Sequence, residues 1–224
     1  MKHVTTSISA VLVFGAGASA ATMYGPAPYL NDVDSPFVPA SYSWFYMEDF
    51  EDGALNTPGV SASAGFILNP APLTDSVDVG GRSYYAGGGG TTTLTFTFNA
   101  LALGGNLPTD VGIVWTDVGY LLNGNLGGPS DVIFEAFDAA NQSLGTIGPI
   151  ALGDAAFNGD QSEDRFFGMS HAGGISRFSI MMPNSDDWEV DHLQYGLVPG
   201  PGVLAGFGGA LVLTRRTRRT TTGA

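Results

Sequence analysis

The chain has 224 residues, a formal charge of −13, 33 glycines, 13 prolines and no cysteine. The absent thiols exclude a disulfide framework and thiolate chemistry, and the acidity works against nucleic acid or anionic lipid as a partner. An apolar fraction of 44% with 11% aromatics suffices for a packed interior, so wholesale disorder is excluded too.

In chain order, residues 1–20 read as a secretory signal peptide. Lys2 and His3 precede an apolar, small-residue stretch from Ile8 to Ala18, and Ala18-Ser19-Ala20 offers a small-x-small cleavage site. Residues 21–40 read as an extended N-terminal linker and 41–197 as one folded domain. Residues 21–198 hold all 21 acidic side chains against Arg82, Arg165 and Arg177, a net charge of −18 without a lysine.

Within the domain, glycine and proline interrupt almost every helical window, and the runs between them alternate with period two. At 93–98, Leu94, Phe96 and Phe98 share one face while Thr93, Thr95 and Thr97 share the other, the pattern of a half-buried strand. Runs at 111–118, 132–138, 175–182 and 188–195 have strand length and turn-forming borders, with weaker ones at 41–50 and 61–68. Asp138 to Asn141 reads as a hairpin turn. Without a fixed internal period, the expected fold is all-β: a single antiparallel β-sandwich, of jelly-roll type, between the signal peptide and an apolar C-terminal sorting helix.

The end of the chain mirrors its start. Val198-Pro199-Gly200-Pro201-Gly202 leads into an apolar run ending at Leu213, and Arg215, Arg216, Arg218 and Arg219 follow, with 220–224 as a short tail. From Leu197 to Leu213 there are 17 residues, with two prolines and five glycines among them. A permanent bilayer span needs about 20 apolar residues. A transient sorting handle at the inner membrane therefore fits, its arginines held on the cytoplasmic side.

The order of proline pair, apolar run and arginine cluster over 198–219 resembles the PEP-CTERM sorting tails of exopolysaccharide-producing bacteria. Gly200 stands where that family has glutamate. The resemblance implies an exosortase-type processing enzyme as partner and a location in the cell envelope or outside the cell. Segments such as Gly112 to Asp117, Phe134 to Asp138 and Glu163 to Gly168 look like those of secreted bacterial proteins with such tails. The layout also resembles a galactose-binding-like jelly roll. There a Phe-Glu-x-Gly near the first strand and an Asp in the last strand often share a structural calcium. The matching positions here are Phe50-Glu51-Asp52-Gly53 and Asp191.

Candidate sites divide between carboxylates and aromatics. Glu48, Asp49, Glu51 and Asp52 crowd four carboxylates into five residues. Bringing them near Asp191 requires a cation, and Ca²⁺ accepts six to eight oxygen ligands in flexible geometry. Glu51, Asp191 and Asp49 are the expected calcium ligands, the alternative being a solvated acidic turn. Asp75 to Gly81 fails as an EF-hand loop, because Val77 and Val79 stand where oxygen ligands belong, and reads as an exposed loop. His192 reads as a packed histidine on the face of Trp188 and Val190, and His171 as a loop residue. Tyr84 and Tyr85 are the candidate sugar-stacking pair, while Trp115 and Trp188 belong to the core.

No nucleophile elbow occurs, and Ser170 beside His171 is only adjacency. The expected function is therefore a non-enzymatic, exported envelope or matrix protein associated with exopolysaccharide or a cell-surface glycan. A carbohydrate-binding module and a small hydrolase are the alternatives.

Overall fold

The computed structural model describes residues 20–70, 74–78, 81–119, 129–153 and 161–200. Residues 1–19 of the expected signal peptide, Pro201, the apolar run from Val203 to Leu213 and the four C-terminal arginines lie outside them. Among the described residues, no helix is long and apolar enough to cross a membrane.

Among the described residues, twelve strands form two antiparallel sheets. In chain order they are β1 (Thr22–Pro28), β2 (Trp44–Glu48), β3 (Val60–Ala62), β4 (Phe66–Ile67), β5 (Tyr84–Tyr85) and β6 (Thr93–Phe98). The rest are β7 (Asp110–Asp117), β8 (Ser130–Phe137), β9 (Ser143–Leu152), β10 (Arg165–Ser170), β11 (Arg177–Met181) and β12 (Glu189–Leu197). One sheet runs β1-β10-β7-β12-β5-β4, with β2 also paired to β12, and the other runs β3-β6-β11-β8-β9. Eight of these strands pair in a nested order. β2 meets β12, β6 meets β11, β7 meets β10 and β8 meets β9. The expected all-β sandwich is thus observed.

Side chains from both sheets fill the space between them. The period-two face of β6 supplies Leu94, Phe96 and Phe98, which meet Phe134, Phe178 and Ile180 of the second sheet. Val111, Ile113, Trp115, Val190 and Tyr195 come from the first. Phe178 stacks on Phe96 at 5.2 Å and on Phe134 at 5.1 Å, and Trp115 lies 4.8 Å from Trp188. Burying rings of this size supplies most of the driving force for joining the sheets.

The first sheet differs from an ordinary half-solvated antiparallel sheet, because every residue of β7 is buried. Its outer face carries a second, smaller core of Tyr29, Phe37, Val77, Val114 and Phe166. Two stretches expected to be peripheral build that cover. The presumed linker at 21–40 forms β1, pairs along β10 and sends Tyr29 and Phe37 inward. The segment 74–78, expected as an exposed loop, buries Asp75, Ser76 and Val77 to within 2% of full burial. Residues of the expected linker are therefore packed into the sandwich, through β1, Tyr29 and Phe37.

Candidate functional site

The outer face of the first sheet gathers the acidic side chains most strongly. Glu189 and Asp191 stand two residues apart on β12, and the 74–78 segment runs alongside them. Glu189 Oε2 accepts the backbone N–H of Asp75 at 3.1 Å and also the Ser83 hydroxyl. Asp191 Oδ2 accepts the backbone N–H of Val77 at 2.9 Å, and its Oδ1 accepts that of His192 at 2.7 Å. Alternate residues of one segment are thus held by alternate carboxylates of one strand, which leaves few buried N–H groups unsatisfied.

A bulge makes the strand capable of this. Between Asp191 and Gln194 the register against β7 shifts, and His192 takes a φ of 44°. Trp188 and Val190 therefore face the inter-sheet core while His192 turns outward. The expectation that the three share a face is corrected by this extra residue. His192 Nδ1 lies 3.0 Å from the Tyr29 hydroxyl, which also accepts from Gln194 Nε2 at 3.0 Å. Gln194 Oε1 in turn accepts from Ser35 at 2.5 Å. With its acceptor side taken by Gln194, the tyrosine donates to Nδ1, which puts the ring proton on Nε2. That nitrogen faces Asp78 Oδ2 at 3.5 Å, too long for a hydrogen bond. Burial lowers the His192 pKa despite the pull of Asp78, so the ring is neutral near pH 7.

Asp75 is the unusual member of the group. Its carbonyl accepts from Thr116 Oγ1 at 2.9 Å and its N–H is held by Glu189, but neither carboxylate oxygen has a hydrogen-bond partner. The residue is fully buried. Burial first, then the charges of Asp164, Asp117, Glu163 and Glu189, push its carboxyl up to about 9. Glu189 rises to about 7, mostly through burial, with Ser83 and the Asp75 N–H acting against the rise. Asp191 is raised well above its ordinary value by burial, with Asp78 and Glu51 adding to it. These acids stand at one end of three adjacent strands. Asp117 pairs with Glu189 in register, and Asp164 lies one residue beyond the Arg165–Trp115 pair.

Of the expected calcium ligands, Glu51 and Asp191 are brought within electrostatic reach of each other, from opposite ends of the domain. Glu51 Oε1 also accepts the backbone N–H of Arg82 at 2.5 Å. Asp49 is exposed and accepts from the N–H of Glu51 at 3.1 Å, bracing its own turn. Glu48, the buried member of that acidic run, accepts three backbone N–H groups, from Phe50, Asn56 and Thr57 at 3.0–3.2 Å. Among the described residues, no three His, Asp or Glu side chains converge as a ready-made metal cage. In the expected set the oxygens of Asp191 are already engaged with backbone. Both carboxylate oxygens of Asp75, by contrast, have no hydrogen-bond partner, in a segment that the sequence reads as an exposed loop.

Tyr84 and Tyr85 do not form the exposed pair expected of a sugar platform. They alternate across β5, so Tyr84 points into the core beside Phe50 and Phe96, and its hydroxyl donates to the Ala64 carbonyl at 2.9 Å. Tyr85 is half-buried and meets exposed Phe66 edge-on at 5.4 Å.

Aromatics and polar groups converge elsewhere. A cleft of about 450 Å³ is lined by Tyr24, Phe37, Tyr42, Asp110, Ser170 and His171, and reaches Pro199. Ser170 hydrogen-bonds Asp110 and lies 3.1 Å from the Tyr24 hydroxyl, whereas His171 Nδ1 lies 3.3 Å from the Gly174 carbonyl.

No protein-family model and no curated protein match the chain. Among solved structures, the chain is similar to the K2 cleaved adhesin domain of Lys-gingipain. The TM-score is 0.45 and the identity 11%, over 68% of this chain and 99% of that one. That likeness is too distant to bear on function.

Proposed function

We propose that the chain is an exported, non-enzymatic protein of the cell envelope or extracellular matrix. In this reading its sandwich is of jelly-roll type, a reading supported by the nested pairing of β2 with β12, β6 with β11, β7 with β10 and β8 with β9. A PEP-CTERM-like tail directs it, an exosortase-type enzyme processes it, and exopolysaccharide is its neighbour. Calcium held by Glu51 and Asp191 ties the end of β2 to β12.

One observation carries the non-enzymatic reading. Glu48, Glu51, Glu189 and Asp191, the acids best placed for chemistry, spend their oxygens on backbone N–H groups of neighbouring segments. A carboxylate committed to holding a loop is a poor general acid or base, because moving its proton disturbs the fold. The test is fractionation of the native host with mass spectrometry of the mature ends. The expected termini lie near Ala21 and near Pro199, in the envelope or medium. A full-length cytoplasmic chain would sink the reading.

A carbohydrate-binding module remains the second reading, favoured by the Tyr24–Tyr42 cleft rather than by Tyr84 and Tyr85. Aromatic faces beside Asp110 and Ser170 match the alternation of apolar and hydroxyl surface on a neutral sugar. Glycan-array binding that is lost in Tyr42→Ala would establish it.

A further inference from the structure

We propose that Asp75, with Asp117, Glu163, Asp164 and Glu189, binds a divalent cation of the calcium class where the 74–78 segment crosses the ends of β10, β7 and β12. The inference concerns the folded domain alone and holds wherever the protein resides. It is also separate from the calcium expected at Glu51 and Asp191.

The argument starts from the cost of burial. A carboxylate taken out of water without a donor is among the most expensive groups a fold can contain, and it persists when a proton or a cation compensates it. Asp75 is fully buried with both oxygens unpartnered, next to four further acids. The buried acids of β12, Glu189 and Asp191, have backbone N–H donors, whereas neither carboxylate oxygen of Asp75 has a hydrogen-bond partner. Mutual repulsion keeps such a group from closing on one point by itself, so the cation must draw the side chains together.

The donor set selects the metal. All the side chains are carboxylates, with neither sulfur nor imidazole among them, which disfavours zinc and copper. Calcium tolerates irregular, oxygen-rich, high-coordination sites, whereas magnesium demands a near-octahedral shell and retains water. The ligands come from the covering segment, from β7, from the approach to β10 and from β12. A cation there fastens the cover over Tyr29, Val77 and Phe166 to three adjacent strand ends.

The experiment uses the full chain, stripped with chelator and titrated with CaCl₂ or MgCl₂ at pH 7.5, with calorimetry and thermal melts in parallel. At a hundredfold excess over the dissociation constant, linkage predicts a rise in Tm of about 5–10 °C for a domain of this size. Asp75→Asn keeps the shape and removes the charge. It should lower calcium affinity at this site at least a hundredfold and remove this site's share of the rise, yet melt in chelator at or above the wild type because repulsion is relieved. Asp117→Asn serves as a second variant with the same expectation for affinity. Glu51→Gln should leave this binding in place. If Glu51→Gln abolishes calcium binding while Asp75→Asn and Asp117→Asn retain it, the cation belongs to the Glu51–Asp191 site and the proposal fails. If the wild type takes up no calcium, a proton neutralises Asp75 and the proposal fails as well. Neither result touches the export reading, which rests on the mature termini.

Discussion

The backbone N–H of Asp75 lies 3.1 Å from Oε2 of Glu189, so an acid of the last strand anchors the very segment that carries a second, unpartnered acid toward it. Backbone geometry pulls the two residues together while their charges push apart. That opposition makes this corner of the domain the place where pH and cations should act.

The pH dependence follows with a definite sign. Asp75 and Glu189 have folded-state pKa values of about 9 and about 7, against ordinary values of 3.8 and 4.5. A group with a raised folded pKa contributes its stability fully below its unfolded pKa and loses it as pH rises through the folded one. Asp191 acts in the same direction. The acids facing this group are Asp78, Asp117, Glu163, Asp164 and Asp187, with Glu51 near Asp191. His192 opposes them only at lower pH, because its depressed pKa costs stability as pH falls below about 6.5. In chelator, Tm should therefore fall steadily from pH 6.5 to pH 9, and calcium should flatten the slope. A flat or rising profile in chelator contradicts the placement of these acids.

Glu48 offers a contrast, since its carboxylate is buried but fully engaged. Glu48→Gln keeps the size but replaces one acceptor oxygen with an N–H₂ that faces donors. Charge-assisted bonds contribute about 1.5–3 kcal/mol each, so the loss should be about 2–4 kcal/mol, a Tm decrease on the order of 10 °C. The decrease should be the same in calcium and in chelator. A calcium-dependent decrease would mean that Glu48 holds metal rather than the Asn56–Thr57 backbone.

How far the sequence discloses this arrangement depends on which period a residue obeys. Leu94, Phe96 and Phe98 alternate cleanly because one face of β6 meets the core, and that signal led directly to a sandwich. The outer face of the first sheet gives no such signal. Its buried positions include Asp110, Thr116, Glu189, Asp191 and Gln194, and polar residues read as solvated unless something is known to cover them. The cover comes from Tyr29, Phe37 and Val77, in stretches too short and too broken by turns to read as structure. His192 departs from the strand's alternation for a related reason: a bulge adds one residue to the count and moves every later side chain to the other face. Asp191 is legible through a motif as an acid that shares a site with Glu51. Asp75 is not, because its importance lies in having no partner, which only three-dimensional packing reveals.

The two tyrosines of β5 separate a packing role from a binding one. Tyr84 is buried against Phe50 at 5.2 Å and Phe96 at 5.8 Å, so Tyr84→Ala leaves a ring-sized cavity. Losses for such truncations are about 3–5 kcal/mol, and this variant should be soluble only at reduced temperature. Tyr85→Ala should cost about 1 kcal/mol, since the ring lies half outside the core. Glycan binding unchanged in Tyr85→Ala would exclude β5 as the sugar platform and leave the Tyr24–Tyr42 cleft. Binding that vanishes in a stably folded Tyr85→Ala would restore the pair reading in part.

Gly112 reports on the cover itself. A methyl group there would stand 2.3 Å from Cζ and 2.6 Å from Cε2 of Phe166, whose ring is fully buried between Tyr29 and Phe37. Carbon atoms at that distance repel strongly, so Gly112→Ala must displace the ring or the strand. Overpacking of this kind costs about 1–3 kcal/mol. The displaced ring loosens Tyr29 and Phe37 before it reaches the inter-sheet core, because Phe166 faces the outer cluster. Hydrogen exchange should therefore accelerate first at 29–37 and 74–78 and leave β6, β8 and β11 protected. Uniform acceleration over both sheets would mean that the outer cover and the main core unfold as one unit, and that the segment carrying Asp75 has no independent stability to regulate.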